Sequence, residues 1–203
     1  MPLMARADAR FCSNACRQAA YRARRCAEQQ RAVVERQRVA EEQAARIPSE
    51  LTSRPRWVRY SSRKVPLRTD GRFASVSDPS SWSDYEAAAA ASCGEGVGFV
   101  LTAGDGIVVV DLDNSVKDGR VLPWAQAIID RLPATYMERG RSGNGLHLWF
   151  RGSVPHGRRI RRGEVAVEVY SDRRYIIVGD RVSGTPLELA ELPDAAGVIA
   201  SLL

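Results

Sequence analysis

Apolar and polar residues follow two different patterns along the chain, and the change comes near residue 50. Residues 9–47 are dense in Ala, Arg, Gln and Glu and contain neither Gly nor Pro, which predicts a long helix with Ser13 or Asn14 as its N-cap. Most of its apolar positions are alanines, so this helix has little to bury against a core. We therefore predict a solvated helical arm at the N-terminus, or a helix that rests on a partner, rather than a part of the main core.

The segment from Pro48 to Pro55 contains Pro, Ser and Thr and is typical of a linker. We accordingly predict an N-terminal basic helical extension over residues 1–50 and a second domain over residues 51–203. Short strands and helices alternate in the second domain, and this order predicts an α+β fold. The predicted strands are 57–60, 98–110, 136–138, 146–150 and 165–170, and the predicted helices are 77–91, 123–131 and a final segment rich in Leu and Ala.

An unbroken apolar run from Gly106 to Val110 ends in Asp111-Leu112-Asp113-Asn114. Strand side chains alternate with a period of two, so Asp111 and Asp113 face the same way, roughly 6 to 7 Å apart along the strand. Two carboxylates on one face are hard oxygen ligands of the kind that Mg²⁺ or Mn²⁺ selects. The alternative is an Asp-x-Asp turn that caps the end of a strand.

Two further strands carry polar residues among apolar ones. A Gly-rich turn opens the segment Ser142–Phe150 and feeds a strand in which His147 shares a face with Trp149. In the segment Val165–Tyr170 a single acid, Glu168, alternates with valines, and a hairpin through residues 171–173 is predicted to return the chain. The alternative for His147 is a structural role, which a single histidine in a strand often has. The alternative for Glu168 is the solvent-exposed face of an edge strand.

Together, Asp111-Leu112-Asp113, the strand with His147, and Glu168 followed by Arg174-Tyr175 resemble the three motifs of the archaeo-eukaryotic primase superfamily. The resemblance is closest to the primase-polymerase (prim-pol) domains of plasmids and phages, and it covers about residues 55–182. It implies an RRM-like palm with a mixed or antiparallel sheet flanked by helices. It also implies a template-directed nucleotidyl transferase in which three carboxylates hold two Mg²⁺ or Mn²⁺ ions and His147 contacts the incoming triphosphate.

Other residues are candidates for phosphate or template contacts. The Gly-rich turn could offer backbone amides to an anion, and a run of arginines between the second and third motifs suits a nucleic-acid backbone. The alternative for the arginines is a solvated basic loop. The candidates are Lys64, Ser142, Gly143, Gly145, Arg174, Arg158, Arg159, Arg161 and Arg162.

The composition indicates an anionic partner. The net charge is +6 and the pI about 9.5, although the heavy bias toward Arg over Lys can also come from a GC-rich genome. The expected partners are a single-stranded DNA template and nucleoside triphosphates. A helicase, where one exists, would be a separate protein unless this chain is a stand-alone or truncated form. The chain has no apolar run long enough for a membrane span, so we expect no membrane contact and a cytoplasmic location.

Cys12 and Cys16 resemble the closing half of a small zinc-binding motif. A structural zinc site needs four ligands, and the eleven residues before Cys12 contain neither Cys nor His. We therefore expect a basic helix with free thiols rather than a zinc site.

Two other functions compete with a polymerase. The first is a nucleic-acid-binding accessory protein with a decayed catalytic site, in which the basic N-terminal helix does the binding; retention of all three carboxylates argues against it. The second is a phosphatase of the haloacid-dehalogenase type, whose nucleophile strand also ends in Asp-x-Asp. That family needs a later Lys and a further acidic pair, whereas the Lys beyond Asp113 is Lys117, far too near, and no Asp-Asp pair follows.

Overall fold

The computed structural model describes residues 11–202, and it confirms the α+β class with a long N-terminal helix. The helices are α1 (Asn14–Ala44), α2 (Ser49–Thr52), α3 (Tyr85–Ala90), α4 (Pro123–Ile129) and α5 (Ala195–Leu202). The strands are β1 (Trp57–Tyr60), β2 (Pro66–Leu67), β3 (Gly96–Leu101), β4 (Ile107–Leu112), β5 (Val116–Lys117), β6 (Arg120–Val121), β7 (Met137–Arg139), β8 (Leu146–Ser153), β9 (Arg158–Arg162), β10 (Val165–Tyr170), β11 (Arg174–Ile177), β12 (Asp180–Arg181) and β13 (Ala190–Asp194).

The strands form a large and a small sheet, besides the short β5–β6 hairpin. The large sheet has the order β12-β7-β8-β4-β10-β9, and β13 adds to β8 in parallel, so the sheet is mixed. The small sheet has the order β11-β3-β1-β2. Strand β4 therefore lies inside the large sheet, paired with β8 on one side and with β10 on the other.

The alternation along β4 sends its apolar residues into two different cores. Val108, Val110 and Leu112 pack with α4 and α5 on one face of the large sheet. Ile107 and Val109 point to the other face, where they meet the small sheet and α3. Because both faces are covered, the strand is apolar at nearly every position, and Asp111 is the exception that opens the site.

Helix α1 is largely exposed, as its alanine-rich pattern predicts. Ser13 is its N-cap, with the hydroxyl accepting from the amide of Cys16. Near its C-terminal end Ala40 is buried, and Ile47 and Leu51 belong to the core beside the small sheet. The segment predicted as a linker thus contains the helical turn α2 with a fully buried leucine. The division at residue 50 stays a prediction, and residues 1–10 of the proposed extension lie outside the described range.

Three predictions of local structure are wrong. The strand predicted over residues 98–110 is two strands, β3 in the small sheet and β4 in the large one, because a turn at residues 102–106 separates them. The helix predicted over residues 77–91 is split into a 3-10 turn at Pro79–Ser81 and α3, because Trp82 is extended and Asp84 caps a new helix. The predicted hairpin after β10 does not form. Strand β11 instead leaves the large sheet and pairs with β3 in the small one. The same strand β10 lies between β4 and β9, so Glu168 is not on an edge strand.

A partly buried ion cluster joins the turn between β3 and β4 to the segment before β1. Asp105 is 7% exposed at its side chain and accepts from Arg54 at 3.3 Å and from Arg56 at 3.1 Å. Burial opposes ionisation, but the hydrogen bonds from Arg56 and Thr102 outweigh it, so the pKa of Asp105 lies below its usual range.

Replacing Asp105 with Asn should lower the free energy of unfolding by about 2 kcal/mol at neutral pH, because charge-assisted hydrogen bonds are lost. Since the folded pKa is depressed, this contribution is present above about pH 4 and disappears as the pH falls through the folded pKa. Urea denaturation at several pH values measures it. Asp118→Asn, at an exposed turn position, is the control, and equal stability of both variants at neutral pH would contradict the prediction.

None of the helices in residues 11–202 combines the length and the apolarity needed to cross a membrane.

Candidate active site

A single row of ionisable side chains crosses the large sheet from β12 to β9. The residues pair directly across neighbouring strands, and paired residues in antiparallel strands share one face of the sheet. In spatial order this ionisable row is Arg181, Glu138, His147, Asp111, Glu168 and Arg159. Asp111 thus has His147 on one side and Glu168 on the other, so one residue from each of the three predicted motifs lies in this row.

The ionisable row lies at the boundary between the core and a cleft. On the core side the next row on the same face contains Trp149 and Val109, both fully buried. On the other side Asp113 follows directly after β4, and its amide donates to the carbonyl of Ala166 at 2.9 Å. The cleft has a volume of about 500 Å³ and opens between the two sheets. Its lining includes Asp111, Asp113, His147, Lys64, Ser142, Gly145, Arg173 and Arg174.

Asp111 is the partly buried centre of this row, with its side chain 19% exposed. Burial raises the pKa of Asp111 to about 6; His147 works against this rise, while Asp113 and Glu168 add to it. The Nε2 atom of His147 lies 3.8 Å from Oδ1 of Asp111, longer than a hydrogen bond. Within residues 11–202, no side chain donates a hydrogen bond to the carboxylate of Asp111, which lies close to the carboxylates of Asp113 and Glu168.

Glu168 is surrounded by donors. Arg159 Nε lies 2.9 Å from Oε1, and guanidinium nitrogens of Arg161 and Arg174 lie 3.7 and 3.6 Å from the carboxylate. The hydroxyl of Tyr170 donates to Oε2 at 2.7 Å. With its side chain 8% exposed, Glu168 is charge-compensated by arginines, one of which, Arg161, also reaches Asp113 at 3.4 Å.

His147 lies between Asp111 and Glu138 and is hydrogen-bonded to Glu138. Its Nδ1 lies 2.9 Å from Oε1 of Glu138, and the hydroxyl of Tyr136 donates to the other oxygen at 3.0 Å. Burial by itself would lower the pKa of His147, but the hydrogen bond and charge of Glu138, together with Asp111 and Asp113, outweigh burial and raise it. The ring therefore presents Nε2 toward Asp111.

The donor chemistry of the carboxylates fits a hard divalent cation. Asp111, Asp113 and Glu168 supply oxygen atoms from one sheet face and from adjacent strands, and Asp111 and Asp113 both line the cleft. Across residues 11–202, however, no three His, Cys, Asp or Glu side chains are gathered closely enough to form a ready metal cluster. Arginines hold the carboxylate of Glu168 in ion pairs.

The Gly-rich turn before β8 has the shape that the sequence predicts. Gly143 has a φ of +76°, which favours glycine, and a Cβ on Gly145 would come within 3.2 Å of the carbonyl oxygen of Leu112. The amides of Gly143 and Asn144 donate inside the turn, to Gly140 O and Ser142 Oγ. Anion contacts by this turn remain a prediction, and of the three candidates Ser142 and Gly145 line the cleft.

The arginines of β9 divide between the two faces of the sheet. Arg159 and Arg161 pair with Glu168 and Ala166 and so share the face of the carboxylates. Arg158 and Arg162 pair with Val169 and Val165 and lie on the opposite face. The sequence treats the four as one cluster, whereas the structure places two of them beside the site.

Among the remaining candidates, Lys64 and Arg174 reach the cleft from the small-sheet side. Lys64 is exposed in a turn with a φ of +58°, and its carbonyl accepts from the hydroxyl of Tyr175. The guanidinium of Arg174 lies over the ring of Tyr170 at 4.6 Å. Cys12 and Cys16 lie before and in the first turn of α1, far along the chain from this site, as free thiols.

Sequence reasoning missed Glu138 and Tyr170. Glu138 has 0% exposure, and Tyr170 links Arg159 to Glu168 through hydrogen bonds of 2.9 and 2.7 Å. An acid in the short strand Tyr136-Met137-Glu138 was the available signal, but its partner on β8 could not be identified without the register.

Comparison with known proteins points to a family. A family model described as "Bifunctional DNA primase/polymerase, N-terminal" (Prim-Pol) matches residues 23–195. A DNA primase-polymerase of Nitratiruptor phage NrS-1 is 31% identical over 146 residues, which are 67% of this chain and 20% of that protein. The match therefore spans about a fifth of the length of this relative.

Proposed function

The chain belongs to the Prim-Pol family of bifunctional DNA primase/polymerases, and from this membership we propose that it is a template-directed nucleotidyl transferase that copies single-stranded DNA. The observation that carries the proposal is the position of Asp111 in register between His147 and Glu168 beside a cleft of about 500 Å³. A cleft of this volume is in the range that holds a nucleotide-sized ligand.

We propose roles for the three carboxylates, the histidine and two basic residues in or beside this cleft. Asp111, Asp113 and Glu168 would hold Mg²⁺ or Mn²⁺, which when bound offset the phosphate charge and activate the attacking 3′-hydroxyl in a two-metal mechanism. In its doubly protonated form, with Nδ1 on Glu138, His147 would donate from Nε2 to the triphosphate. Lys64 and Arg174 would contact phosphate from the opposite wall of the cleft.

The wider setting is also a proposal. The relative comes from a phage, and we propose that this chain likewise serves a phage- or plasmid-type replication system. Its partners would be single-stranded DNA and nucleoside triphosphates, with a replicative helicase as a separate protein or as a further domain.

A templated-synthesis assay tests the proposal. The protein is incubated with a primed and an unprimed single-stranded DNA template, Mg²⁺ or Mn²⁺, and ribo- or deoxynucleotide mixtures, and products are resolved by length. Products whose sequence follows the template support the polymerase. Binding of DNA without any product would instead support a non-catalytic accessory protein, and release of phosphate from a simple phosphomonoester would support a phosphatase.

The two faces of β9 provide a matched pair of variants. We expect Arg159→Ala with Arg161→Ala to lower kcat/KM for the incoming nucleotide about tenfold or more, because these guanidiniums lie beside Glu168 and Asp113 and place positive charge next to the proposed phosphate site. Arg158→Ala with Arg162→Ala removes the same charge from the same strand on the opposite face. This second double variant should change nucleotide kinetics by less than about threefold, a small difference in transition-state binding.

Steady-state kinetics at saturating template measures the difference between the two double variants. Binding of labelled single-stranded DNA at several salt concentrations shows separately how many phosphate contacts each pair makes, since the salt slope falls by about 0.7 for each lost contact. Equal kinetic defects in both double variants would contradict the assignment of Arg159 and Arg161 to the site.

A further inference from the structure

We propose that Glu138 is a positioning residue that fixes the orientation and the tautomer of His147, so that Nδ1 donates to Glu138 and Nε2 faces Asp111 and the cleft. Nothing in the motif pattern singles out Glu138. The orientation of the ring is inferred from the structure itself, and its catalytic consequence rests on the proposed function.

The carboxylate of Glu138 is completely enclosed. It has 0% exposure, and its strand β7 lies between β12 and β8, where Arg181 and His147 are its cross-strand neighbours. Burial of a carboxylate is costly unless its oxygen atoms receive hydrogen bonds or it is paired with a cation. A glutamate at such a position therefore needs donors, and its two oxygen atoms have different ones.

One donor is Tyr136, whose hydroxyl lies 3.0 Å from Oε2. Burial and, to a lesser extent, the adjacent Glu138 raise the pKa of the Tyr136 hydroxyl. This group therefore stays protonated and donates. Oε2 is thereby occupied, and Oε1 is the oxygen that faces His147. The carboxylate is thus fixed in orientation before it meets the ring.

The other donor is the ring of His147, with Nδ1 at 2.9 Å from Oε1. An ionised carboxylate only accepts hydrogen bonds, so the proposal places the proton of this contact on Nδ1. Nε2 is then the nitrogen that remains for the cleft, and it lies 3.8 Å from Oδ1 of Asp111. A carboxylate behind a histidine is the arrangement by which proteins fix the ring nitrogen presented to a ligand.

A purely structural role for Glu138 predicts something different. If Glu138 served to satisfy Tyr136, its removal would lower stability and leave the state of the His147 ring unchanged. The two roles are therefore separated by a measurement on the ring nitrogens, which does not depend on polymerase activity.

The experiment uses the full chain with 15N-labelled histidine. The sequence has two histidines, and His156 is exposed, so its ring serves as an internal reference. Spectra are recorded over a series from about pH 7 to about pH 10, because the pKa of His147 lies above the ordinary histidine value of about 6.5, and the tautomer is assigned where Nε2 is unprotonated. We expect the wild type to show a protonated Nδ1 for His147, and a wild-type spectrum with unprotonated Nδ1 would overturn the proposal before any variant is made.

Variants then test the cause. Glu138→Leu should move the Nδ1 signal of His147 toward the unprotonated position and leave His156 unchanged, whereas Glu138→Gln, which keeps an acceptor oxygen, should preserve it. Tyr136→Phe is the control for disturbance of the same core, and it should leave the Nδ1 signal in place. An unchanged Nδ1 signal in a folded Glu138→Leu protein would overturn the proposal.

Kinetics tests the catalytic consequence. We expect Glu138→Leu to lower kcat/KM for the incoming nucleotide about ten- to a hundredfold, the usual effect of losing such a supporting contact, while Kd for single-stranded DNA stays unchanged and Glu138→Gln recovers most of the activity. If the ring signals respond as expected but the wild type makes no product, the orientation holds and the proposed polymerase function fails. If the wild type is active and Glu138→Leu is equally active, the positioning role in catalysis fails.

Discussion

Replacing Asp111 and Asp113 together with asparagine is expected to abolish templated nucleotide incorporation, with a loss of about a thousandfold or more. Carboxylates that hold catalytic cations support several kcal/mol of transition-state stabilisation, and each 1.4 kcal/mol corresponds to a factor of about ten. Asparagine keeps the size of the side chain but removes the charge. Primer extension on single-stranded DNA with Mg²⁺ and separately with Mn²⁺ measures the loss.

Measurements of DNA affinity and of stability distinguish a chemical loss from a structural one. Two negative charges disappear beside the cleft, so the double variant should bind single-stranded DNA as well as the wild type or better. It should also be at least as stable in EDTA at neutral pH. Burial raises the pKa of Asp111 to about 6, so the free energy of unfolding of the wild type falls by roughly 2–3 kcal/mol as the pH rises from about 4 to about 6. The double variant should not show this fall, because Asn does not titrate.

The control for the first prediction is Asp130→Asn. Asp130 is exposed at the end of α4, on the opposite side of the large sheet from the cleft. This variant should retain wild-type activity. More than about a tenth of wild-type incorporation by the Asp111 and Asp113 double variant, a loss of under about 1.4 kcal/mol, would remove the carboxylate pair from the catalytic centre.

Replacing Trp149 with alanine is expected to cost about 3–5 kcal/mol of unfolding free energy, the largest stability effect that we foresee. Trp149 has 0% exposure, and its ring meets that of Phe99 edge-to-face with centroids 5.8 Å apart, joining the large sheet to the small one. Since the free energy of unfolding of a small domain is about 5–15 kcal/mol in total, this substitution should remove a large part of the stability. Guanidinium denaturation followed by far-UV circular dichroism measures the change.

Phenylalanine substitutions at two tryptophans give a matched comparison. Trp57 is equally buried, but its Nε1 donates to the carbonyl of Leu51 at 3.1 Å, whereas Nε1 of Trp149 has no hydrogen-bond partner within residues 11–202. Trp57→Phe should therefore destabilise by about 1 kcal/mol more than Trp149→Phe, because it leaves a buried carbonyl unpaired. The reverse order would show that volume, not hydrogen bonding, decides the cost at both sites.

Local patterns predicted some features of the backbone and of the strand faces correctly. The face shared by His147 and Trp149 follows from the period of two along a strand, and it is present in β8. The N-cap at Ser13 also follows from local chemistry. By contrast, the return of the chain after Tyr170 was predicted wrongly. A turn with strand residues on both sides is compatible with a hairpin or with a crossing to another sheet, and packing against β3 decides between them.

The sequence by itself determined which residues of each strand share a face, and therefore that Asp111 and Asp113 point the same way. That property follows from the geometry of the extended backbone, which any strand has. Only the tertiary structure decided that β8 and β10 flank β4, that Glu138 meets His147, and that Arg159 rather than Arg158 meets Glu168. Strand order and register depend on contacts between distant parts of the chain, and a shift of one residue would turn each of these side chains to the opposite face.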